Sequence, residues 1–191
     1  MRTVGFALLL LLGSTLLYGE TRQLTPGDIA KAIAAGRQGE DWSVPARPGA
    51  NVAAAAYDVS ILGPLAQLVV EAHWAYQEGE PFTAADAPQS RFPIVVTCHA
   101  SRTNGFLPPQ VFWLKLHVPA TGQVIEAVLY SGNVEKGDSG LFAEEDLESH
   151  RLNGFFAVAD VPRTEFDIIA VTPYGDELTF HVDAKTAAQI R

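Results

Sequence analysis

From Arg91 to Val182, apolar residues recur in short runs: "FPIVVTCHA", "VFWLKLHV", "VIEAVLY", "GFFAVAD", "EFDIIAVT" and "ELTFHV". Each is rich in Val, Ile, Phe or Tyr and bounded by turn-forming residues, the pattern of half-buried strands. Two connecting stretches, "PATGQ" and "PYGD", contain the Gly, Pro and Asp that hairpin turns require. Upstream the period lengthens. In "LTPGDIAKAIAAGRQGE", Ile29, Ala32 and Ile33 form one stripe behind Thr25 as N-cap, Pro26 at the first helical position and Asp28 as the capping-box acid. A short amphipathic helix ending near 36–39 is predicted. In "PLAQLVVEAHWAYQEG", Leu65, Leu68, Val69, Ala72 and Tyr76 stand at helical spacing, with Pro64 at the start and Gly79 as the stop.

Between the helices, "DWSVPARPGAN" lacks any period and reads as a loop, while Val52, Tyr57, Val59 and Ile61 favour an extended segment. "EPFTAADAPQSRFP" can hold one capped turn at Thr83 and Asp86 before Pro88, so it is a connector. The expected fold class is α+β: two N-terminal helices followed by a mostly antiparallel β-sandwich or open barrel of about six strands. Residues 20–90 form a helical segment packed on the sheet and residues 91–191 the β region, together one domain. No period recurs, which excludes a solenoid.

The start of the chain changes the picture of where this domain works. Arg2 is followed by an apolar run from Val4 to Leu17, interrupted by Gly13, Ser14 and Thr15, and then by Gly19 and Glu20. That layout matches a secretory signal peptide over residues 1–19, and the run is shorter than the roughly 20 residues of a spanning helix. The expected product is a soluble periplasmic or extracellular protein with no membrane span after cleavage. Its one cysteine, Cys98, cannot form a disulfide within the chain, so the fold must hold by packing. Loss of Arg2 with the leader takes the formal net charge from −9 to −10. So acidic a chain lacks the basic surface that nucleic acid requires.

Candidate chemistry begins with Gly137-Asp138-Ser139-Gly140, the sequence found around the nucleophile of chymotrypsin-like proteases. His99 and His117 precede Ser139 by only 40 and 22 residues, too few for the barrels such an enzyme needs, and His73 falls on a predicted helix. We read GDSG instead as a turn that caps a short helix through "LFAEEDLESHRL", ended by Asn153-Gly154. The acids there lack the spacing of a calcium loop. Cys98 and His99 are strand neighbours and point to opposite faces, leaving Cys98 as a core thiol beside Ile94 and Val96.

The strand "VFWLKLHV" says more. Alternation assigns Phe112, Leu114, Leu116 and Val118 to the core, and Trp113, Lys115 and His117 to the opposite face. An aromatic, a cation and an imidazole in a row make those three residues the candidate ligand-binding set. His181 alternates in the same way with Glu177 and Thr179. Convergence of His99, His117 and His181 on a metal depends on strand order, and we expect ordinary histidines on a solvated face, with no metal and no cofactor. Trp74 and Trp42 are expected near the helix–sheet groove. No set of residues supplies nucleophile, base and oxyanion donors at workable spacing. The expected function is a noncatalytic binding module for a protein, peptide or glycan; the alternative is a small extracytoplasmic hydrolase or metal-dependent enzyme.

Overall fold

The computed structural model describes residues 24–52, 56–86, 94–101, 111–136 and 147–190. Helix α1 (Pro26–Arg37) starts where Thr25 Oγ1 accepts the Asp28 N–H at 3.1 Å, with Pro26 needing no partner for its nitrogen. Helix α2 (Pro64–Gln77) starts without a side-chain cap on Gly63, and the Gln67 side chain instead donates to the Leu62 carbonyl. The two helices pack on each other around Ala32, Ala35, Leu68 and Val69. Gly36 makes this approach close: a Cβ there would lie 2.5 Å from the Val69 carbonyl oxygen. His73 Nδ1 donates to the Gly36 carbonyl at 3.1 Å, satisfying one of the free acceptors at the end of α1.

The strands are β1 (Val44–Pro45), β2 (Arg47–Pro48), β3 (Tyr57–Leu62), β4 (Ile94–Ser101), β5 (Trp113–Val118), β6 (Gln123–Glu126), β7 (Leu129–Lys136), β8 (Leu147–Phe156), β9 (Phe166–Val171) and β10 (Glu177–Val182). They form an α+β arrangement with two antiparallel five-stranded sheets, neither closed into a barrel. Sheet A has the order β1-β3-β4-β8-β7 and sheet B the order β2-β10-β9-β5-β6. Among the described residues, seven strands, β4–β10, stand where six runs were expected after Arg91; β3 falls on the extended segment expected between the helices, whereas β1 and β2 fall in the stretch expected as a loop. A one-turn helix, α3 (Ala184–Ala187), follows β10, capped by Asp183 Oδ1 accepting the Thr186 N–H at 2.7 Å.

At both edges the chain steps from one sheet to the other. At the first edge the step occurs at buried Ala46, between Val44 opposite Ile61 in sheet A and Arg47 opposite His181 in sheet B. At the other it occurs at Ala127 and Val128, so the run "VIEAVLY", expected as one strand, is divided between β6 and β7. Tyr130 of β7 donates its hydroxyl to the Leu114 carbonyl of β5 at 2.7 Å, just past the point where β6 stops pairing with β5.

One apolar core joins the inner faces. Val59, Ile61, Ile94, Val96, Cys98 and Phe156 from sheet A meet Leu114, Leu116, Ile168, Phe180 and Val182 from sheet B. Full burial of each Leu, Ile or Phe is worth about 1.5–3 kcal/mol, the main favourable contribution to folding. Phe112 was expected in this core and is 45% exposed, because pairing of β5 starts one residue later, at Trp113.

The helix expected through "EEDLESHRLNG" is corrected from Leu147 onward. That stretch is β8, paired with β4 on one side and β7 on the other. Its polar residues alternate with buried Leu152, Gly154 and Phe156, and Asn153 links the outer face by accepting from Thr97 and donating to Ser131. Asn153-Gly154 is thus mid-strand. Gly154 allows close approach to sheet B, since a Cβ there would lie 3.2 Å from Leu114 Cβ. The GDSG stretch with Ser139, and the acids after it up to Asp146, lie outside the described residues.

Candidate functional site

The outer face of sheet B is built by three strands whose register is set by two hairpins and one long-range pairing. The β5–β6 turn closes with Gly122 at φ 71° and its N–H donating to the Val118 carbonyl. The β9–β10 turn is held by Thr172, whose hydroxyl accepts the Asp176 N–H, with Gly175 at φ 84°. Positive φ at both positions is what glycine supplies without strain. Pairing of β5 with β9 then puts Trp113 opposite Val171, Lys115 opposite Ile169 and His117 opposite Asp167. Pairing of β9 with β10 continues these rows to Glu177, Thr179 and His181.

Alternation on β5 accordingly places Trp113, Lys115 and His117 side by side on this face. Trp113 is 53% exposed, and its ring meets that of Phe112 edge-on, with centroids 5.9 Å apart and planes at 90°. Tyr174, at the tip of the neighbouring turn, is 92% exposed. The Lys115 ammonium reaches across β9 to Glu177, 2.6 Å from Nζ to Oε1. His117 faces a carboxylate that the sequence did not connect with it: Asp167, only 17% exposed, has Oδ2 3.7 Å from His117 Nδ1 and Oδ1 2.7 Å from His181 Nδ1.

The far side of this row is closed by the chain around β2. Arg47 stands opposite His181 and pairs with Asp183 at 3.1 Å. The Asn51 side chain donates to the Glu177 carbonyl at 2.7 Å and accepts from the Thr179 N–H, extending the ladder along β10. Gly49 passes so close that a Cβ would lie 3.2 Å from His181 Nε2.

The three histidines weighed for a metal do not converge. His99 belongs to β4 in sheet A, between Asp58 and Arg151, whereas His117 and His181 share the sheet B face with a carboxylate wedged between them. Among the described residues, no group of three or more His, Cys, Asp or Glu is placed to hold a metal ion. Cys98 is buried beside Ile94 and Val96, and burial pushes its thiol up to about 12. That removes the thiolate on which reactivity depends.

Trp74 and Trp42 are separated. Trp74 is exposed on α2, while Trp42 packs against the helix pair and donates to Glu40. Trp42, Asp28, Leu65 and Ile190 line a cavity of about 480 Å³ where α1, the start of α2 and the C-terminal turn meet. Its lining joins residues between Asp28 and Ala66 to Gln189 and Ile190 at the far end of the chain, so no local motif signalled it. Asp167 carried a weak signal, a lone acid in the apolar run "FDIIAV", yet its partners depend on strand order.

Comparison of the chain with protein-family models, with curated proteins and with solved structures finds no match.

Proposed function

We propose that the chain is an exported, noncatalytic binding module that takes a peptide, protein or glycan on the outer face of sheet B. On this reading residues 1–19 are removed as a signal peptide, and residues 20–90 and 91–191 make one domain. Its two helices precede most of a β-sandwich formed by sheets A and B. A core with contributions from Val44 through Ala187 supports the one-domain reading.

The observation that carries the function is the Trp113 ring. A large aromatic surface stands half in solvent on β5, one strand in from the edge, beside Phe112 and a row of charged and hydrogen-bonding side chains. Aromatic faces in such settings supply contact area at low entropic cost, and neighbouring polar groups give orientation. The absence of basic excess fits neither nucleic acid nor an anionic membrane.

Screening the mature chain against immobilised oligosaccharides and a peptide panel, with Trp113→Ala and Lys115→Ala alongside, tests this reading. A ligand retained by the native chain and lost by Trp113→Ala supports it. Ligands bound equally by both variants place binding elsewhere, with the cavity at Trp42 as the next candidate.

A small extracytoplasmic hydrolase is the second reading, and one observation favours it. The Asp167–His181 pair is the carboxylate–imidazole arrangement that orients a general base. Ester hydrolysis abolished by His181→Ala would support it over binding alone.

A further inference from the structure

Register places His117, Asp167 and His181 at one level across three adjacent strands, with the aspartate in the middle. A carboxylate accepts hydrogen bonds and does not donate, so at 2.7 Å the proton lies on His181 Nδ1, and Nε2 of the neutral ring is a bare acceptor. His117 Nδ1 faces the other oxygen of the same carboxylate at 3.7 Å, which favours the same form. Both Nδ1 atoms are thereby turned inward. A further proton enters each ring only at Nε2, and His181 is 57% exposed to receive it. Imidazole is the side chain that changes charge between pH 5 and 8.

The groups facing this row hold their charges in pairs or stand at its margin. Lys115 on β5 has Glu177 across β9 and Glu126 opposite it on β6; Arg47 on β2 has Asp183; Glu165 lies just ahead of β9. Carboxylate, ammonium and guanidinium groups as classes keep their charge over the interval in which imidazole changes.

We propose that His117, Asp167 and His181 form a proton-operated reversal of hydrogen-bond polarity on the sheet B face. With both rings neutral the row offers two Nε2 acceptors and one net negative charge. With both rings protonated it offers two Nε2–H donors and one net positive charge. The chemical class it receives changes in step, from hydroxyl or ammonium donors to anions such as carboxylate or sulfate. That consequence rests on the sheet B binding reading, whereas the switch in the rings does not.

Nitrogen-15 NMR of the imidazoles in the mature chain tests the switch without any ligand. While neutral, both rings should show a protonated Nδ1 and a bare Nε2, and acidification should add the second proton of each ring at Nε2. Asp167→Ala should return the rings to the Nε2–H form preferred by free imidazole. A neutral ring carrying its proton on Nε2 in the native chain, or rings indifferent to Asp167→Ala, overturns the proposal.

If Asp167→Ala fails to fold, His117→Gln and His181→Gln replace it. Each should change the proton affinity of the remaining imidazole by roughly threefold, the size expected for two charges a few ångströms apart near water. No change overturns the coupling. Sulfate serves as the ligand probe and should perturb both rings once they are doubly protonated and neither while they are neutral. Rings that switch form without responding to sulfate leave the switch standing and count against the face as an anion site.

Discussion

The Tyr130 hydroxyl of sheet A donates to the Leu114 carbonyl of sheet B at 2.7 Å, filling a ladder position that β6 leaves open. Burial pushes the phenol above its ordinary value, partly offset by this bond. Tyr130→Phe keeps the ring and strands the carbonyl of the fully buried Leu114. A loss of about 1–2 kcal/mol in urea unfolding is expected, with little change in denaturant slope. A loss under a few tenths would show that water replaces the phenol.

The helix pair depends on one missing side chain. At Gly36, a Cβ would meet Val69 O at 2.5 Å and Ala72 Cβ at 2.8 Å, so Gly36→Ala forces the helices apart. Overpacking of this kind costs about 1–3 kcal/mol. Gly27, near the start of the same helix, has only Thr25 Oγ1 within reach, at 3.8 Å. Gly27→Ala should be neutral or stabilising by up to about 1 kcal/mol, through the better helix propensity of alanine. Thermal unfolding of both variants gives the comparison; equal effects would contradict the close crossing.

Cys98 should react with a thiol reagent only when the chain opens. With its thiol pushed up to about 12 by burial, native labelling should be slower than labelling in denaturant by a factor that follows unfolding. Prompt labelling of native protein would show an accessible thiolate. Cys98→Ser places a hydroxyl among Ile94, Val96 and Leu152, at an expected cost of about 1–3 kcal/mol.

His150 gives the fold a dependence on pH separate from the sheet B row. It lies on β8 between Val134 and Ala100, and burial lowers its pKa. Its Nδ1 is buried and has no hydrogen-bond partner among the described residues. A histidine whose folded value is depressed binds fewer protons folded than unfolded. Stability therefore falls as pH drops through the unfolded value near 6.5 and rises again toward neutrality. Melting temperatures measured between about pH 5 and pH 7.5 should show this slope in the native chain and less of it in His150→Asn. An unchanged slope would assign the effect to other groups.

The alternation in β5 and β10 was legible because each strand buries one face, and Leu114, Leu116, Phe180 and Val182 report that face directly. Both hairpin turns were legible from Gly122 and Gly175. The pairing of β5 with β9 was not, since residues some 50 positions apart choose one another through packing that no local pattern records. Hence Trp113, Lys115 and His117 could be placed on one face, while Asp167 could not be placed between two imidazoles. At β8, the acids and polar residues before Asn153 suggested a capped helix. Pairing with β4 and β7 on both sides outweighs that local preference from Leu147 onward.

The two places where the chain steps between sheets leave the molecule with unequal borders. On one side Pro45 and Pro48 sit in the outermost strands and offer no N–H to a visiting strand. On the other, β6 and β7 end their sheets with Val124, Val128 and Leu129 exposed around the step. Edge-to-edge aggregation of partly opened molecules thus has one guarded entrance and one open one. A lysine in place of Val128 or Leu129 is where protection against it would begin.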